Sequence, residues 1–271
     1  MTHPAAPEAL ESLVGFWLDT GMIDAREAQA LGRMGQQPAP KAPPPRASRS
    51  NKPPPPRLRG RNPVAEARQL AEAATSLEAL KKAIESFDGC ELRRGARNTV
   101  VCDGAYDADI MLIGEGPGGE EDAKGLPFVG RSGRLQDKIL ASIGVRRTQN
   151  LFISNLVYWR PPGNRDPDPE ELAICAPFVQ RMIELKAPKL ILACGWFSAH
   201  ALLGVTDGIM RLRGRKMTYS HEGLAAPIPC VPLLHPAYLL RRPADKAKAW
   251  ADMQTIAKLC DELGVKRDAP L

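Results

Sequence analysis

The sequence lacks the features of a membrane protein and of a disulfide-stabilised secreted domain. No apolar run approaches the roughly 20 residues that a membrane helix needs, and the N-terminus leads into an acidic segment instead of an apolar signal. Six cysteines are scattered along the 271 residues, and none forms a Cys-x-x-Cys pair. This spacing favours neither a disulfide framework nor a zinc ribbon. We therefore expect a cytoplasmic protein that has no membrane partner.

Acidic residues are absent from a long stretch near the N-terminus. Eight Lys or Arg residues and no Asp or Glu occur between Glu27 and Glu66, whereas the net charge of the whole chain is +6. The remainder therefore carries a charge of about −2, so the folded part is not strongly basic. The same stretch is rich in proline, which predicts an extended, disordered basic linker over 35–63.

Two further segments flank this linker. Before it, residues 1–34 hold an amphipathic helical stripe, formed by Leu10, Leu13, Val14, Trp17 and Leu18. After it, residues 64–271 have the composition of one folded domain. Apolar runs at 110–113, 151–154, 190–193 and 229–234 alternate with helical stretches at 134–143, 169–186, 196–203 and 244–263. A further helix is expected across Leu70 to Ile84. This alternation predicts an α/β fold with a four-stranded parallel sheet between two helical layers.

An isolated aromatic residue stands in a glycine-rich segment, although aromatic residues make up only 5% of the chain. After the run at 110–113 come Gly114-Glu115-Gly116-Pro117-Gly118 and then Pro127-Phe128-Val129-Gly130. Glycine lets the backbone approach a ligand closely, and ligands of open α/β sheets bind beyond the carboxyl ends of the strands. The pattern predicts a binding loop; the alternative is a mobile surface loop whose Phe128 packs back onto the sheet.

Two more polar groups follow predicted strands. Asn155 comes after the second strand and precedes Arg160-Pro161-Pro162-Gly163-Asn164-Arg165. Its amide offers a donor and an acceptor side by side, as a nucleobase edge requires, although a turn-forming Asn is the alternative. His235 follows the fourth strand and precedes Leu239, Leu240 and Arg241. Leucines beside arginines suit a wedge into stacked bases that is flanked by phosphate contacts.

Together these three motifs resemble the family 4 uracil-DNA glycosylases, over roughly residues 87–250 and in the same order. The resemblance implies a role for each matching position. It implies that Phe128 stacks on a flipped uracil, that Asn155 binds the uracil edge and that His235 donates a hydrogen bond to the O2 side of the ring. Backbone near Gly116 and Gly118 is expected to contact the base, and Arg160, Arg165, Leu239, Leu240 and Arg241 to contact DNA. Glu115 and Glu121 match acidic positions implicated in activity.

Two carboxylates, those of Glu115 and Glu121, are candidates for activating the attacking water. In the best-known branch of the superfamily an Asp orients the attacking water, and Gly116 occupies that position here. Glu115 or Glu121 is then expected to act as base or to stabilise the sugar cation, with Glu115 favoured. The alternative for Glu121 is that it only narrows the pocket.

The chain departs from the family at its iron–sulfur ligands. Family 4 members typically hold a 4Fe-4S cluster through four cysteines, and this sequence keeps two of them, Cys90 and Cys175. Phe87 and Trp159 stand at the other two positions. Two thiolates do not satisfy a cluster that takes four, so we expect no cluster and no other metal.

The sequence thus predicts a monomeric, monofunctional uracil-DNA glycosylase that acts on single- or double-stranded DNA. A uracil- or abasic-DNA binding protein with little turnover is the alternative. A phosphate-binding α/β enzyme is a third hypothesis, which the absence of the Lys-Ser/Thr ending of a P-loop weakens.

Overall fold

A six-stranded mixed sheet lies at the centre of residues 61–270, the part of the chain that the computed structural model describes. The strands are β1 Cys102–Gly104, β2 Ile110–Gly114, β3 Leu151–Asn155, β4 Leu190–Cys194, β5 Met217–Tyr219 and β6 Ile228–Leu233. Their order across the sheet is β1-β3-β2-β4-β6-β5. The predicted helical segment 1–34 and nearly all of the predicted linker lie outside the described residues.

The four inner strands run parallel to one another, and each edge strand runs antiparallel to its neighbour. The expected four-stranded parallel sheet therefore forms the middle of a larger mixed sheet. The sequence did not indicate β1 and β5 because each has only three residues and lacks an apolar run. Both lie at sheet edges, where one side of the strand has no partner in the sheet.

Alternating residues of the inner strands enter two separate cores. Met111 and Ile113 of β2 pack on one face of the sheet, whereas Ile110 and Leu112 pack on the other. Side chains of a strand point alternately to opposite faces, so a strand that is apolar throughout must be covered on both. Helices cover both faces in the described chain, which gives three layers.

The helices account for this coverage. Their bounds are α1 Pro63–Ala73, α2 Leu77–Ser86, α3 Leu92–Gly95, α4 Gly119–Lys124, α5 Arg131–Ala141, α6 Pro169–Lys186, α7 Trp196–Leu203, α8 Ile209–Leu212, α9 Pro236–Arg241 and α10 Lys246–Glu262. Helices α1, α2, α6 and α7 contribute to the first core, and α5, α9 and α10 contribute to the second.

One predicted helix is divided in two. The periodic apolar residues from Leu70 to Ile84 predict a single helix, but the helix is interrupted between Ala73, where α1 ends, and Leu77, where α2 begins. Ser76 caps α2, because its hydroxyl accepts a hydrogen bond from the Ala79 amide at 3.1 Å. Serine competes for backbone hydrogen bonds in this way, so it starts a new helix more readily than it continues an old one.

The parallel register brings the carboxyl ends of the inner strands to one edge. Gly114 at the end of β2 is paired with Asn155 at the end of β3. On the other side of β2, the end of β4 is paired with Leu233 of β6, two residues before His235. All three motifs therefore leave the sheet at the same edge.

Candidate active site

Three predicted side chains meet around the end of β2. A Cβ added to Gly114 would lie 2.5 Å from Oδ1 of Asn155 and 2.5 Å from Cζ of Phe128. Both side chains therefore cover Gly114, and no residue with a side chain fits there. Phe128 is 7% exposed and Asn155 is 2% exposed. An aromatic ring and an amide thus lie side by side at the carboxyl end of β2.

Phe128 adopts an unusual backbone conformation. Its φ of 54° lies in the left-handed region, which costs a non-glycine residue roughly 1–3 kcal/mol. Helix α5 approaches it closely, since a Cβ on Gly133 would lie 1.9 Å from the Phe128 carbonyl oxygen. Surrounding contacts must therefore hold Phe128 in place.

Two charged residues supply those contacts from opposite sides. The Arg147 guanidinium donates to the carbonyl oxygens of Pro127 at 2.8 Å and Phe128 at 2.6 Å. Glu121 is buried, and its Oε1 accepts from the amides of Val129 at 3.0 Å and Gly130 at 2.7 Å. These bonds fix the peptide groups on both sides of the ring. The Glu121 carboxylate is therefore engaged with the loop backbone.

Arg147 is itself held by two carboxylates. It contacts Asp103 of β1 at 2.6 Å and Asp137 of α5 at 3.1 Å. Hydrogen bonds between charged partners are shorter and stronger than neutral ones. Arg147 thus links an edge strand, a helix and the Phe128 loop.

His235 is the third member of the group. Its ring centroid lies 6.2 Å from that of Phe128, with an angle of 38° between the ring planes. Burial, with a smaller effect of the nearby Arg241, lowers the pKa of His235 to about 4. The imidazole is therefore neutral at neutral pH. Its Nδ1 accepts from the Ala237 amide at 3.2 Å, so the remaining proton is on Nε2. His235 can act there as a neutral donor.

Glu115 directly follows Gly114 at the end of β2. Burial, and to a smaller degree the nearby Asp166, raise the pKa of the Glu115 carboxyl to about 7. Such a carboxyl exchanges a proton near neutral pH, as a general base requires. The next residue, Gly116, leaves no space for a side chain, because a Cβ there would lie 2.6 Å from Cγ2 of Val157.

The remaining predicted residues divide into two groups. Arg160 lies beside the loop, 3.4 Å from the position of a Cβ on Gly119, and it donates to Asn164 Oδ1 at 2.7 Å. Gly118 precedes α4, against the Glu121 carboxylate. Leu240 is partly exposed and Arg241 is exposed, both on α9, which follows His235. These residues surround the same edge.

Arg165 and Leu239 were expected to contact DNA, but each is engaged within the protein. Arg165 pairs through both terminal nitrogens with the buried carboxylate of Glu171, which also forms the capping box of α6. Leu239 is 1% exposed and packs in the second core. Leu239 would have to leave the core in order to enter a base stack. Of the two predicted wedge residues, Leu240 is therefore the one in a position to contact DNA.

Aromatic side chains stand at two of the four positions that carry cluster cysteines in the family resembled. Phe87 lies with its ring centroid 6.3 Å from Trp159 and 5.3 Å from Phe178, and both Phe87 and Trp159 are buried. Cys90 and Cys175 are also buried, and a hydrogen bond between the two thiols lowers the pKa of Cys90. Two thiols within a packed aromatic group do not fit a cluster that needs four thiolates.

Residues 61–270 contain neither a metal-binding group of side chains nor a membrane-spanning helix. No group of three or more His, Cys, Asp or Glu side chains in this region is arranged to hold a metal ion. No helix there is long and apolar enough to cross a membrane.

Comparison with known proteins agrees with this geometry. The family model described as "Uracil DNA glycosylase superfamily" matches residues 102–254, which contain the whole group around Gly114. The chain belongs to the uracil DNA glycosylase superfamily. Within the superfamily, the chain is 36% identical over 189 residues to a Type-4 uracil-DNA glycosylase of Archaeoglobus fulgidus. The aligned residues make up 68% of this chain and 94% of that protein.

Other superfamily members give similar values. The Type-4 uracil-DNA glycosylase of Thermotoga maritima is 37% identical over 176 residues, covering 64% of this chain and 87% of that protein. The Type-4 uracil-DNA glycosylase of Pyrobaculum aerophilum is 35% identical over 180 residues, covering 65% and 91%. The resemblance seen in the motifs is thereby confirmed.

Arg147, which holds the Phe128 loop of this superfamily member in place, was not predicted from the sequence. Its partners lie 10 to 44 positions away along the chain, and an arginine after a helix has no local pattern that marks it. Glu121 was identified, but its contacts with the Val129 and Gly130 amides were not.

Proposed function

We propose that this chain is a monofunctional uracil-DNA glycosylase that flips uracil out of DNA and hydrolyses the N-glycosidic bond, leaving an abasic site. The observation that carries the proposal is that Phe128 and Asn155 both cover Gly114, and that the His235 ring lies beside the Phe128 ring. A flipped base needs a stacking surface and hydrogen bonds to its Watson–Crick edge. The three side chains supply both, and the relatives' names indicate uracil as the base.

Bond cleavage depends on the leaving group. When the bond between N1 of uracil and C1′ of the sugar breaks, its electron pair goes to the uracil ring, and negative charge develops at O2. The neutral His235 donates from Nε2 to this oxygen, in the manner of an oxyanion hole. One donor of this kind lowers the barrier by roughly 3–4 kcal/mol. A neutral imidazole keeps its proton on Nε2 throughout the working pH range.

Water completes the reaction at C1′. We assign proton removal from this water to Glu115, whose pKa of about 7 leaves much of the carboxyl ionised at neutral pH. Glu121 is assigned a positioning role, because its carboxylate already accepts the Val129 and Gly130 amides. The water loses its proton to Glu115, and the remaining hydroxyl binds C1′.

DNA contacts are assigned to the side chains around the pocket. Arg160 and Arg241 suit phosphates, and Leu240 suits the space left by the flipped nucleotide. The pairing of Arg165 with Glu171 favours a structural role for Arg165. We further propose that the enzyme is a monomer whose catalytic unit spans 64–271.

The protein is proposed to work without an iron–sulfur cluster. The packing of Phe87 against Phe178 and Trp159 supports this, since the aromatic rings take the place of two ligands. Purified protein is expected to contain no stoichiometric iron and to show no broad absorption band at about 400 nm. Iron at four atoms per chain together with that band would contradict the proposal.

Oligonucleotide cleavage tests the function directly. The full chain is incubated with labelled single- and double-stranded DNA carrying one uracil, and abasic sites are cleaved with alkali. We expect cleavage at uracil and none at thymine in a matched control. Tight binding without cleavage would favour the DNA-binding alternative. The absence of both binding and cleavage would refute the enzyme and the DNA-binding alternative alike.

A further inference from the structure

Trp196 is a large aromatic side chain at the active edge of the sheet, and the proposed mechanism does not use it. It is the first residue of α7 and directly follows β4 and Gly195. Its surface is 39% exposed. Exposure of this extent is unusual for tryptophan, which is buried in most folded proteins.

Gly195, directly before Trp196, and Ser198, two residues after it, connect this segment to the strands that lead into both motif loops. A Cβ on Gly195 would lie 3.2 Å from Cβ of His235, and the Gly195 amide donates to the Leu233 carbonyl at 2.9 Å. Ser198 donates to the carbonyl of Ile113, one residue before Gly114. Trp196 is therefore held between the His235 loop and the Gly114 loop.

The indole is also fixed in orientation. Its ring stacks on the imidazole of His200, one turn along α7, with centroids 4.6 Å apart and an angle of 28°. Phe197 packs edge-on against it at 4.9 Å and 82°. A ring that is already immobilised loses little conformational entropy when a second flat group binds to its exposed surface.

We propose that Trp196 stacks on an unpaired nucleobase next to the target nucleotide in single-stranded DNA. Every base has a flat π surface, so aromatic platforms bind single strands with little sequence preference. In a duplex the neighbouring base is paired and stacked on both sides, which makes it unavailable to the indole. The exposed Arg241, beside His235, supplies positive charge for the adjoining phosphates.

This inference deepens the proposed function, but its test needs no catalysis. The full chain is titrated with a fluorescein-labelled oligothymidylate and with a duplex of matched length, and binding is followed by anisotropy. Trp196→Ala is expected to weaken binding to the single strand about tenfold, as removal of a stacking platform does, and to change duplex binding less than about twofold. Trp196→Phe keeps a ring and is expected to lose less than about threefold.

A matched control uses an aromatic residue at the opposite edge. Tyr106 is 41% exposed and lies before β2, at the amino ends of the parallel strands. Tyr106→Ala is expected to leave both affinities unchanged. Intrinsic fluorescence gives a second readout, because a base stacked on Trp196 quenches its emission in the unmodified protein, and Trp196→Phe removes that quenching.

Several results would overturn the inference. They are unchanged binding of Trp196→Ala to the single strand, an equal loss on the duplex, or quenching that persists in Trp196→Phe. The glycosylase proposal is tested separately, by the uracil cleavage assay. A chain that cleaves no uracil, yet loses single-strand affinity on Trp196→Ala, would keep this inference and refute the enzyme.

Discussion

Glu115 permits a quantitative prediction about pH. Burial and the nearby Asp166 raise the pKa of its carboxyl to about 7, whereas an unperturbed Glu has a pKa of about 4.3. If the ionised carboxylate accepts the proton of the attacking water, the excision rate follows the ionised fraction. That fraction rises as pH rises through 7, because the base form is the deprotonated one.

The size of the effect follows from this pKa. A group with a pKa of about 7 is ionised to about 9% at pH 6 and about 91% at pH 8, so kcat/KM is expected to rise about tenfold across this interval. His235, whose pKa is about 4, stays neutral throughout and adds no slope. An unperturbed Glu would be ionised at both pH values and would give a flat profile.

The assay is single-turnover excision of uracil from a labelled oligonucleotide, with enzyme in excess of DNA but well below saturation. Under this condition the rate reports kcat/KM and therefore the pKa values of the free enzyme. Glu115→Gln is expected to be slower and to lack the rise between pH 6 and 8. The exposed Glu91, which lies far from the site in sequence, provides a control, since Glu91→Gln should keep the profile. A flat profile in the unmodified enzyme, or an unchanged rise in Glu115→Gln, would refute the assignment of Glu115 as base.

Four further predictions concern the pocket and the N-terminal region. His235→Ala is expected to reduce the single-turnover rate at saturating enzyme about 100- to 1000-fold, with little change in the melting temperature, because it removes the donor to O2; a loss below about tenfold would argue against this role. Arg147→Ala releases the Phe128 carbonyl and is expected to raise KM more than it lowers kcat, with partial recovery in Arg147→Lys, whereas equal kinetics would show that Arg147 does not position the ring. Gly114→Ala is expected to abolish excision in a protein that still melts cooperatively, since its Cβ would lie 2.5 Å from two pocket side chains. Removal of residues 1–63 is expected to weaken DNA affinity at low salt and to preserve the chemical step, which stopped-flow excision at saturating enzyme can check.

The positions of the strands were predictable because they depend on local pattern. Runs such as 110–113 and 190–193 are apolar without interruption, and each is observed as a strand that extends one residue further. Helices 169–186 and 196–203 have the predicted bounds, since caps and neighbouring turns mark their ends. Parallel strands place their carboxyl ends together, so the convergence of Phe128, Asn155 and His235 also followed from the pattern.

Contacts between distant parts of the chain were not predictable in this way. Nothing local indicates that Leu239 is buried while Leu240 reaches the surface, because both lie in one short apolar segment. The sequence likewise does not show that Arg165, which the resemblance assigned to DNA, pairs with Glu171. Each outcome depends on which partner the fold brings within a few ångströms.

By itself the sequence determined the chemistry of this protein: an aromatic platform, an amide and an imidazole, each carried by a loop after a strand, together with the loss of two cluster ligands. Those features are properties of residue type and spacing, which the chain carries before it folds. Only the tertiary structure decided the state of each group. Burial set the titration of Glu115 and His235, and packing directed Glu121 and Arg147 to the backbone around Phe128. Solvent exclusion and long-range contact arise only when remote segments meet, so the sequence names the groups and the fold assigns their roles.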